Sequence, residues 1–477
     1  MMKLLERSRI DKFQVMGEWW INQNKDKRFI GTLSYSPEKI TLELIGALDN
    51  EGLATDESLP IPTEVYGISV EGEGFKIDIL SFTDSTFSAP GIPTVKYEVR
   101  SFIVGTFTEE FPELFDSAVY SADYLTSWMV PGVYDQTMDM DRTYQKIKYT
   151  LPESISFNVP SIEANIKEFH WGKVNRKDIT SYEIGINHTS GYKIIPNKRK
   201  DLSWFQQTIN SIRACLSVLV DYKTSDEQFI LWAFDEKRNR QIKYKYFEKI
   251  KEVRGSLKKK IEPLFEYEDL RPNFEGVLNS WFEKKEELNT IISLYLSKFE
   301  NLYIESKFLN SIQALEIFHR RFHIGEILDQ KTYNEAADKI KEFINEQFEG
   351  ETKTFFLGKF KHGNEYNLGK RLRELINDLS PDSKNYIIGN SKRRTSFLQK
   401  IIETRNYLTH YDESEKTTIL KDPYDQYFAT FRMNILLVFA LLKEIGLDEN
   451  LILSKIQEHR QTKHLIEQAK KVFDENR

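Results

Sequence analysis

The chain has 477 residues, too many for one ordinary domain and enough for two or three. With 40% apolar and 29% charged residues it has a folded protein's composition, and a net charge of −6 argues against a protein that coats nucleic acid. Its single cysteine, Cys215, excludes an intrachain disulfide and a cysteine-based zinc site, and fits a reducing cytoplasm.

The start, MMKLLERSRIDKF, is too charged for a signal peptide. The strand period begins soon after it. FIGTLSY and KITLELIG are joined by a Pro-containing SPEK turn, and Ile40, Leu42 and Leu44 alternate with Thr41 and Glu43, as in a half-buried strand. KIDILSF and TVKYEVRSFIVG continue the pattern, with Val95, Tyr97 and Val99 on one face. SISFNV and YEIGINHTSGYKII follow, the last predicted to fold back at Ser190-Gly191. These signals predict a β-rich sandwich or barrel-like domain over residues 1–198, with Trp19, Trp20 and Tyr35 in its core.

From Asp201 the period becomes helical. DLSWFQQTINSIRACLSVLVDY predicts a helix capped by Asp201 or Ser203. Residues 199–298 are expected to form a mixed, mainly helical linker that includes a solvated basic run, RGSLKKK. Residues 299–477 predict an all-α bundle of four or five helices, so the chain as a whole is α+β. Breaks are expected near Gly325, at FEGETKTFFLG, at SPDSKN and at KDPYD.

Within the bundle, Ile304, Phe308, Ile312, Leu315 and Phe322 stripe the first helix, and YNEAADKIKEFINEQF is polar enough to lie outside. Another helix is expected to begin near Thr395 or Ser396, with Phe397, Leu398, Ile401, Ile402 and Leu408 on one side. The clearest core helix runs through Tyr424, Tyr427, Phe428, Phe431, Ile435, Val438, Phe439 and Leu442. Its longest apolar run, Ile435 to Leu442, is far short of the ~20 residues that span a bilayer, so no membrane is expected. HRQTKH near the C-terminus reads as a solvated tail.

Arg405 falls inside the apolar cluster of its helix, and His410 lies about 140° round from it at ~100° per residue. A buried guanidinium needs a carboxylate, a ligand or a wet cleft. One reading is a plain Arg–Glu pair between helices, with Glu316 and Glu305 the nearest candidates by pattern and His410 an ordinary helix-end residue. The other is chemical. Metal-free RNA cleavage needs a base for the ribose 2′-hydroxyl, an acid for the leaving oxygen and a cation for the phosphate; histidine and arginine supply these roles. One copy of each makes half a site, and two copies about a two-fold axis make a whole one.

RNYLTH matches the R-x4-6-H signature of the HEPN superfamily, and no other histidine has an arginine at that spacing. FENLYIESKFLNSIQALEIFHRRF, the motif helix and the aromatic closing helix together resemble the ApeA-type HEPN domain, while GEWW and IGTLSYSPEKITLELIG resemble the N-terminal domain of ApeA abortive-infection proteins. The resemblance implies a metal-independent endoribonuclease of antiphage defence that cuts RNA, with tRNA among the candidate substrates, and works as a dimer or larger homo-oligomer through its HEPN domain. Residue by residue, it makes Arg405 and His410 the catalytic pair and Asn406 the supporting polar position. Glu316 is added from the helical wheel as an orienting partner for Arg405. A phage-derived trigger bound by the N-terminal domain is the expected further partner. The alternative is a non-catalytic HEPN-like scaffold or ligand-binding module with a β-rich recognition domain.

No cofactor or metal is expected. His319 and His323 have a chelating i, i+4 spacing, but no carboxylate or cysteine pattern supports it, and His319 sits on the apolar stripe as a core or interface histidine. There is no Walker motif. Lys392, Arg393 and Arg394 could grip RNA phosphates or form a solvated run; in a helix Arg394 lies about 16 Å from Arg405, too far for the scissile phosphate.

Overall fold

The computed structural model describes residues 4–21, 25–46, 62–86, 90–106, 111–122, 124–130, 132–138, 145–176, 184–223, 226–250, 262–410 and 418–474. It divides into two compact units, one of Met1–Leu216 with Lys223–Glu275 and one of Ser217–Tyr222 with Gly276–Arg477. RGSLKKK lies outside the described residues.

The first unit is β-rich. Its elements are β1 (Phe13–Trp20), β2 (Phe29–Ser36), β3 (Lys39–Ile45), β4 (Glu64–Ser69), β5 (Glu73–Thr86), β6 (Thr94–Thr106), β7 (Leu114–Phe115), β8 (Ser117–Ala122) and helix α1 (Leu125–Met129). There follow β9 (Tyr134–Met138), β10 (Gln145–Tyr149), β11 (Ser156–Val159), β12 (Ala164–Arg176), β13 (Ile184–Pro196), β14 (Lys200–Asp201), α2 (Leu202–Val220), β15 (Asp226–Asp235), β16 (Arg240–Glu248) and α3 (Tyr267–Leu270). The main sheet runs β11-β12-β13-β8-β15-β16-β6-β3-β2-β1-β4-β5, and β5 pairs again with β6. That second pairing closes β1 to β6 into a six-stranded barrel, which leaves no open edge among those strands.

Alternation builds the barrel wall. Ile40, Leu42 and Leu44 of β3 and Val95, Tyr97 and Val99 of β6 point inward, and Trp19, Tyr35, Phe75, Phe102 and Phe247 fill the interior. The rings of Phe102 and Phe247 stack at 4.9 Å. Fully burying a side chain of this size is worth ~1.5–3 kcal/mol. Trp19 and Tyr35, expected in the core, are there, and Trp20 is also buried. Gly67 of β4 lies under Trp19: a Cβ there would stand 2.1 Å from the indole ring.

One expectation fails here. Ser190-Gly191 is not a turn: β13 runs straight through it, with His170 opposite Ser190 and Phe169 opposite Gly191. Gly191 is needed for close approach instead, since a Cβ would meet the Tyr120 carbonyl oxygen of β8 at 2.1 Å. The stretch read as a mixed, mainly helical linker, 199–298, holds α2 and α3 and supplies β15 and β16 to the centre of the large sheet. Asp201 does cap α2, accepting from the Trp204 amide at 2.8 Å.

The chain continues with α4 (Phe274–Glu283), α5 (Lys285–Leu296), α6 (Ile304–Phe322), α7 (Gln330–Gln347), α8 (Gly350–Gly358), α9 (Leu368–Asn377), α10 (Pro381–Ile387), α11 (Ser391–His410), α12 (Pro423–Glu444), α13 (Glu449–Glu458) and α14 (Arg460–Asp474). Helix α12 is the axis of the bundle and packs against α6, α9, α10, α13 and α14. It is buried almost all round from Phe428 to Leu442, as a central helix must be. Tyr424 and Tyr427 at its N-terminal end are exposed instead of lying in the core. Helix α7, expected outside, buries only Ala337 and Ile344. The break expected at FEGETKTFFLG is mostly helix α8, starting from Gly350 at φ 55°. HRQTKH is no solvated tail: His459 and Thr462 are buried and bonded to each other, and Ile466 and Ala469 of α14 are in the core. No described helix is long and apolar enough to cross a membrane.

Candidate active site

Helix α11 carries Arg405, Asn406 and His410. It begins at Ser391, earlier than its periodicity suggests, because Asn390 accepts from the Arg393 amide at 3.1 Å and starts the first turn. Lys392, Arg393 and Arg394 therefore lie on the helix. Arg394 is tied down there, donating to the Gly389 carbonyl at 2.8 Å and to Asn385 at 3.1 Å; Lys392 and Arg393 are exposed.

The helix is seated by Phe397, Leu398, Ile401 and Thr404, all buried. Phe397 meets Phe473 of α14 edge-on at 5.4 Å, and the guanidinium of buried Arg432 lies over both rings at 5.6 and 5.1 Å. Ile402 packs on the first turn of α9, where a Cβ on Gly369 would stand 2.9 Å from its Cδ1. Thr404 accepts from the Leu420 amide at 2.9 Å.

Burial ends at Thr404. Arg405, Tyr407 and Leu408 are half-buried, and Asn406, Thr409 and His410 are exposed. Arg405 follows Ile401 by one turn, so it continues the apolar stripe as the wheel predicts, but the stripe has there reached the rim of the bundle. Among the described residues, the Arg405 guanidinium makes one hydrogen bond, to Asn406 Oδ1 at 3.2 Å. His410 makes none among them, and Thr409 Oγ1 donates back to the Arg405 carbonyl at 2.7 Å. The helix thus presents a cation, an amide and an imidazole together on one accessible end. Glu316 is elsewhere engaged: its carboxylate accepts from Arg320, one turn along α6, at 3.2 and 3.3 Å.

A second polar cluster, between α6 and α9, escaped the sequence reading. Arg371 is buried and donates to the Tyr366 carbonyl at 2.9 Å, to His319 Nδ1 at 3.2 Å and to Glu365 at 3.4 Å. His319 Nε2 meets Glu374 at 2.8 Å, and the His319 ring stacks on His323 at 4.9 Å. A guanidinium can only donate, so Nδ1 is bare and the His319 proton sits on Nε2, donated to Glu374. Gly325 makes room: a Cβ there would come within 2.5 Å of the guanidinium. Glu365 also receives Arg320 at 2.6 Å, and His362 and Arg320 hold its carboxyl down to about 2. The available signal was the one used for Arg405, since Arg371 stands one turn before buried Leu375 on the inner face of its helix. His319, the histidine of the chelating spacing, is bonded into this cluster. Among the described residues no group of three or more His, Cys, Asp or Glu could hold a metal.

Burial, with His323 and Arg371 nearby, lowers the His319 pKa in spite of Glu374. A folded-state value below the unfolded one, ~6.5, means that the unfolded chain takes up the proton first. Stability should be complete above about pH 6.5 and decline as the pH falls below it. Thermal melts of the full chain from about pH 7.5 to 5.5, followed by helix circular dichroism, should show this decline, and His319→Gln should flatten it. An unchanged slope in the variant would remove His319 as its source.

In the β-rich unit a hydrogen-bonded chain runs from Tyr149 through His188, Ser190 and His170 to Glu168, with links of 2.8, 2.9, 2.9 and 3.5 Å. Glu168 is buried and accepts also from Tyr267, from the Ile155 amide and from Arg271. Ser190 is wholly enclosed within β13, so the Glu–His–Ser order is structural and not a nucleophile on display.

Two family models match the chain, one described as ApeA N-terminal domain 1 over residues 14–281 and one described as Apea-like HEPN over residues 309–451. No curated protein and no solved structure matches it.

Proposed function

The chain belongs to the ApeA family, and from that premise we propose that it is an antiphage-defence endoribonuclease of the cytoplasm whose active site is built from Arg405, Asn406 and His410 of two copies. The observation that carries the reading is a contrast within one bundle. Arg371, a structural arginine, is buried with donors spread over three partners, whereas Arg405 is half-exposed and bonded among the described residues only to its neighbour's amide. A guanidinium so placed is available to a phosphate.

In this reading the ribose 2′-oxygen attacks the adjacent phosphorus as one His410 takes its proton. The P–O5′ bond breaks, and the His410 of the second copy protonates the leaving oxygen. The products are a 2′,3′-cyclic phosphate and a 5′-hydroxyl. Arg405 holds the phosphate and balances charge developing on its equatorial oxygens. Asn406 orients that guanidinium through its Oδ1. Glu316, engaged by Arg320, takes no part. Lys392 and Arg393, at the far end of the helix, can grip RNA remote from the cut. The β-rich unit receives the phage-derived trigger.

No step needs a metal ion. RNA cleavage by the activated protein should therefore be unchanged in excess EDTA, and the 3′ fragment ends should map as cyclic phosphates. Loss of cleavage on chelation, restored by a divalent ion, would overturn the mechanism.

A further inference from the structure

We infer that Thr404 and Gln426 are positioning residues that lock the catalytic end of α11 by clasping the backbone of one residue, Leu420, at both its N–H and its C=O. The inference rests on the ribonuclease reading for its catalytic consequence, and on geometry alone for the clasp.

Leu420 stands between the two helices outside any regular element, and its backbone is buried. A buried residue needs partners for both its backbone N–H and its C=O. Here each is met by a side chain from a different helix. The N–H donates to Thr404 Oγ1 of α11 at 2.9 Å, and the carbonyl accepts from Gln426 Nε2 of α12 at 2.8 Å. Both side chains are themselves buried, at 0% and 4% exposure, so water does not compete for these bonds. The clasp also explains a threonine in mid-helix, where β-branching and a side chain that rivals the backbone are usually unfavourable. Its hydroxyl is used across the bundle.

The position of the clasp gives it leverage. Thr404 is the last buried residue of α11, and Arg405, Asn406 and His410 all come after it. The described hydrogen bonds of those residues stay within the helix itself. His410 lies six residues beyond Thr404, about 9 Å along the axis at ~1.5 Å per residue. A small tilt about a loosened Thr404 therefore moves the imidazole by a comparable fraction of its lever arm. A misplacement of about 1 Å can cost about 100-fold in rate. The clasp should accordingly affect turnover more than RNA binding.

The test uses the full chain with Thr404→Val, which keeps the shape and removes the acceptor, Thr404→Ser, which keeps the hydroxyl, and Gln426→Met. Hydrogen exchange followed by mass spectrometry should show the Leu420 amide and the 405–410 segment exchanging about tenfold faster in Thr404→Val. Gln426→Met should loosen the same segments, and Thr404→Ser should resemble wild type. In RNA cleavage, kcat should fall about tenfold or more for Thr404→Val and Gln426→Met with KM within about twofold, and Thr404→Ser should restore it. Unchanged exchange at Leu420 overturns the clasp. Faster exchange with unchanged kcat overturns its positioning role. If wild type cuts no RNA at all, the ribonuclease reading and the catalytic consequence fall together, while the exchange result still decides the clasp. Should Thr404→Val not fold, Gln426→Met decides both points.

Discussion

His410→Ala should reduce RNA cleavage by about 10²–10⁴-fold while leaving the chain folded. The first half follows from the proposed mechanism, in which His410 is the group that moves the proton. The second half follows from the structure. His410 is exposed at the last position of α11, and its truncation breaks no hydrogen bond among the described residues. Exposed substitutions of this kind change stability by about 0.5 kcal/mol or less. Arg405→Ala should behave alike, with a loss of about 10²–10³-fold from the missing charge stabilisation and little change in melting. If the proposed site takes one histidine from each chain, activity per chain should also fall on dilution below the concentration at which copies associate. Equal cleavage by His410→Ala and wild type, with matched trigger and RNA, would sink the catalytic assignment.

Much of the architecture was legible for simple physical reasons. Ile40, Leu42 and Leu44, or Val95, Tyr97 and Val99, advertise a strand with one wet face, and those residues do line the barrel. Closure of the barrel was not legible, because it depends on β5 and β6 meeting in a register interrupted by irregular pairings after Asp78. Ser190-Gly191 misled because glycine signals a turn and a close approach with the same letter. Strands β15 and β16 were missed because they lie among helices in sequence and join the sheet only through distant partners. At the site, helical counting found the face on which Arg405 lies but carries no information on where the bundle ends. It therefore overstated the burial of Arg405 and suggested Glu316 as a partner, when Arg320 lies one turn along the same helix and takes that carboxylate.

The same counting applied to α9 identifies Arg371, and its removal should have the opposite consequence. Arg371→Leu should destabilise the chain by about 2–6 kcal/mol, at about 1–3 kcal/mol for each buried acceptor left without its donor. The change strands the Tyr366 carbonyl and His319 Nδ1, both of which accept from the guanidinium. Glu365 would remain satisfied by Arg320 and His362, so the cost comes from the inner side of the network. At ~2–4 °C per kcal/mol for a unit of this size, the melting midpoint should fall by about 10 °C. Replacing His319 as well, in Arg371→Leu/His319→Leu, should cost less than the sum of the two single changes, because the second replacement removes a buried acceptor that the first had orphaned. Arg405→Ala measured in the same melts supplies the decisive comparison. Two arginines of one bundle, both on the apolar side of their helices by count, should separate cleanly: loss of Arg371 destabilises, and loss of Arg405 silences. If Arg405→Ala lowers the midpoint as far as Arg371→Leu does, Arg405 is a structural arginine and the case for the nuclease fails with it.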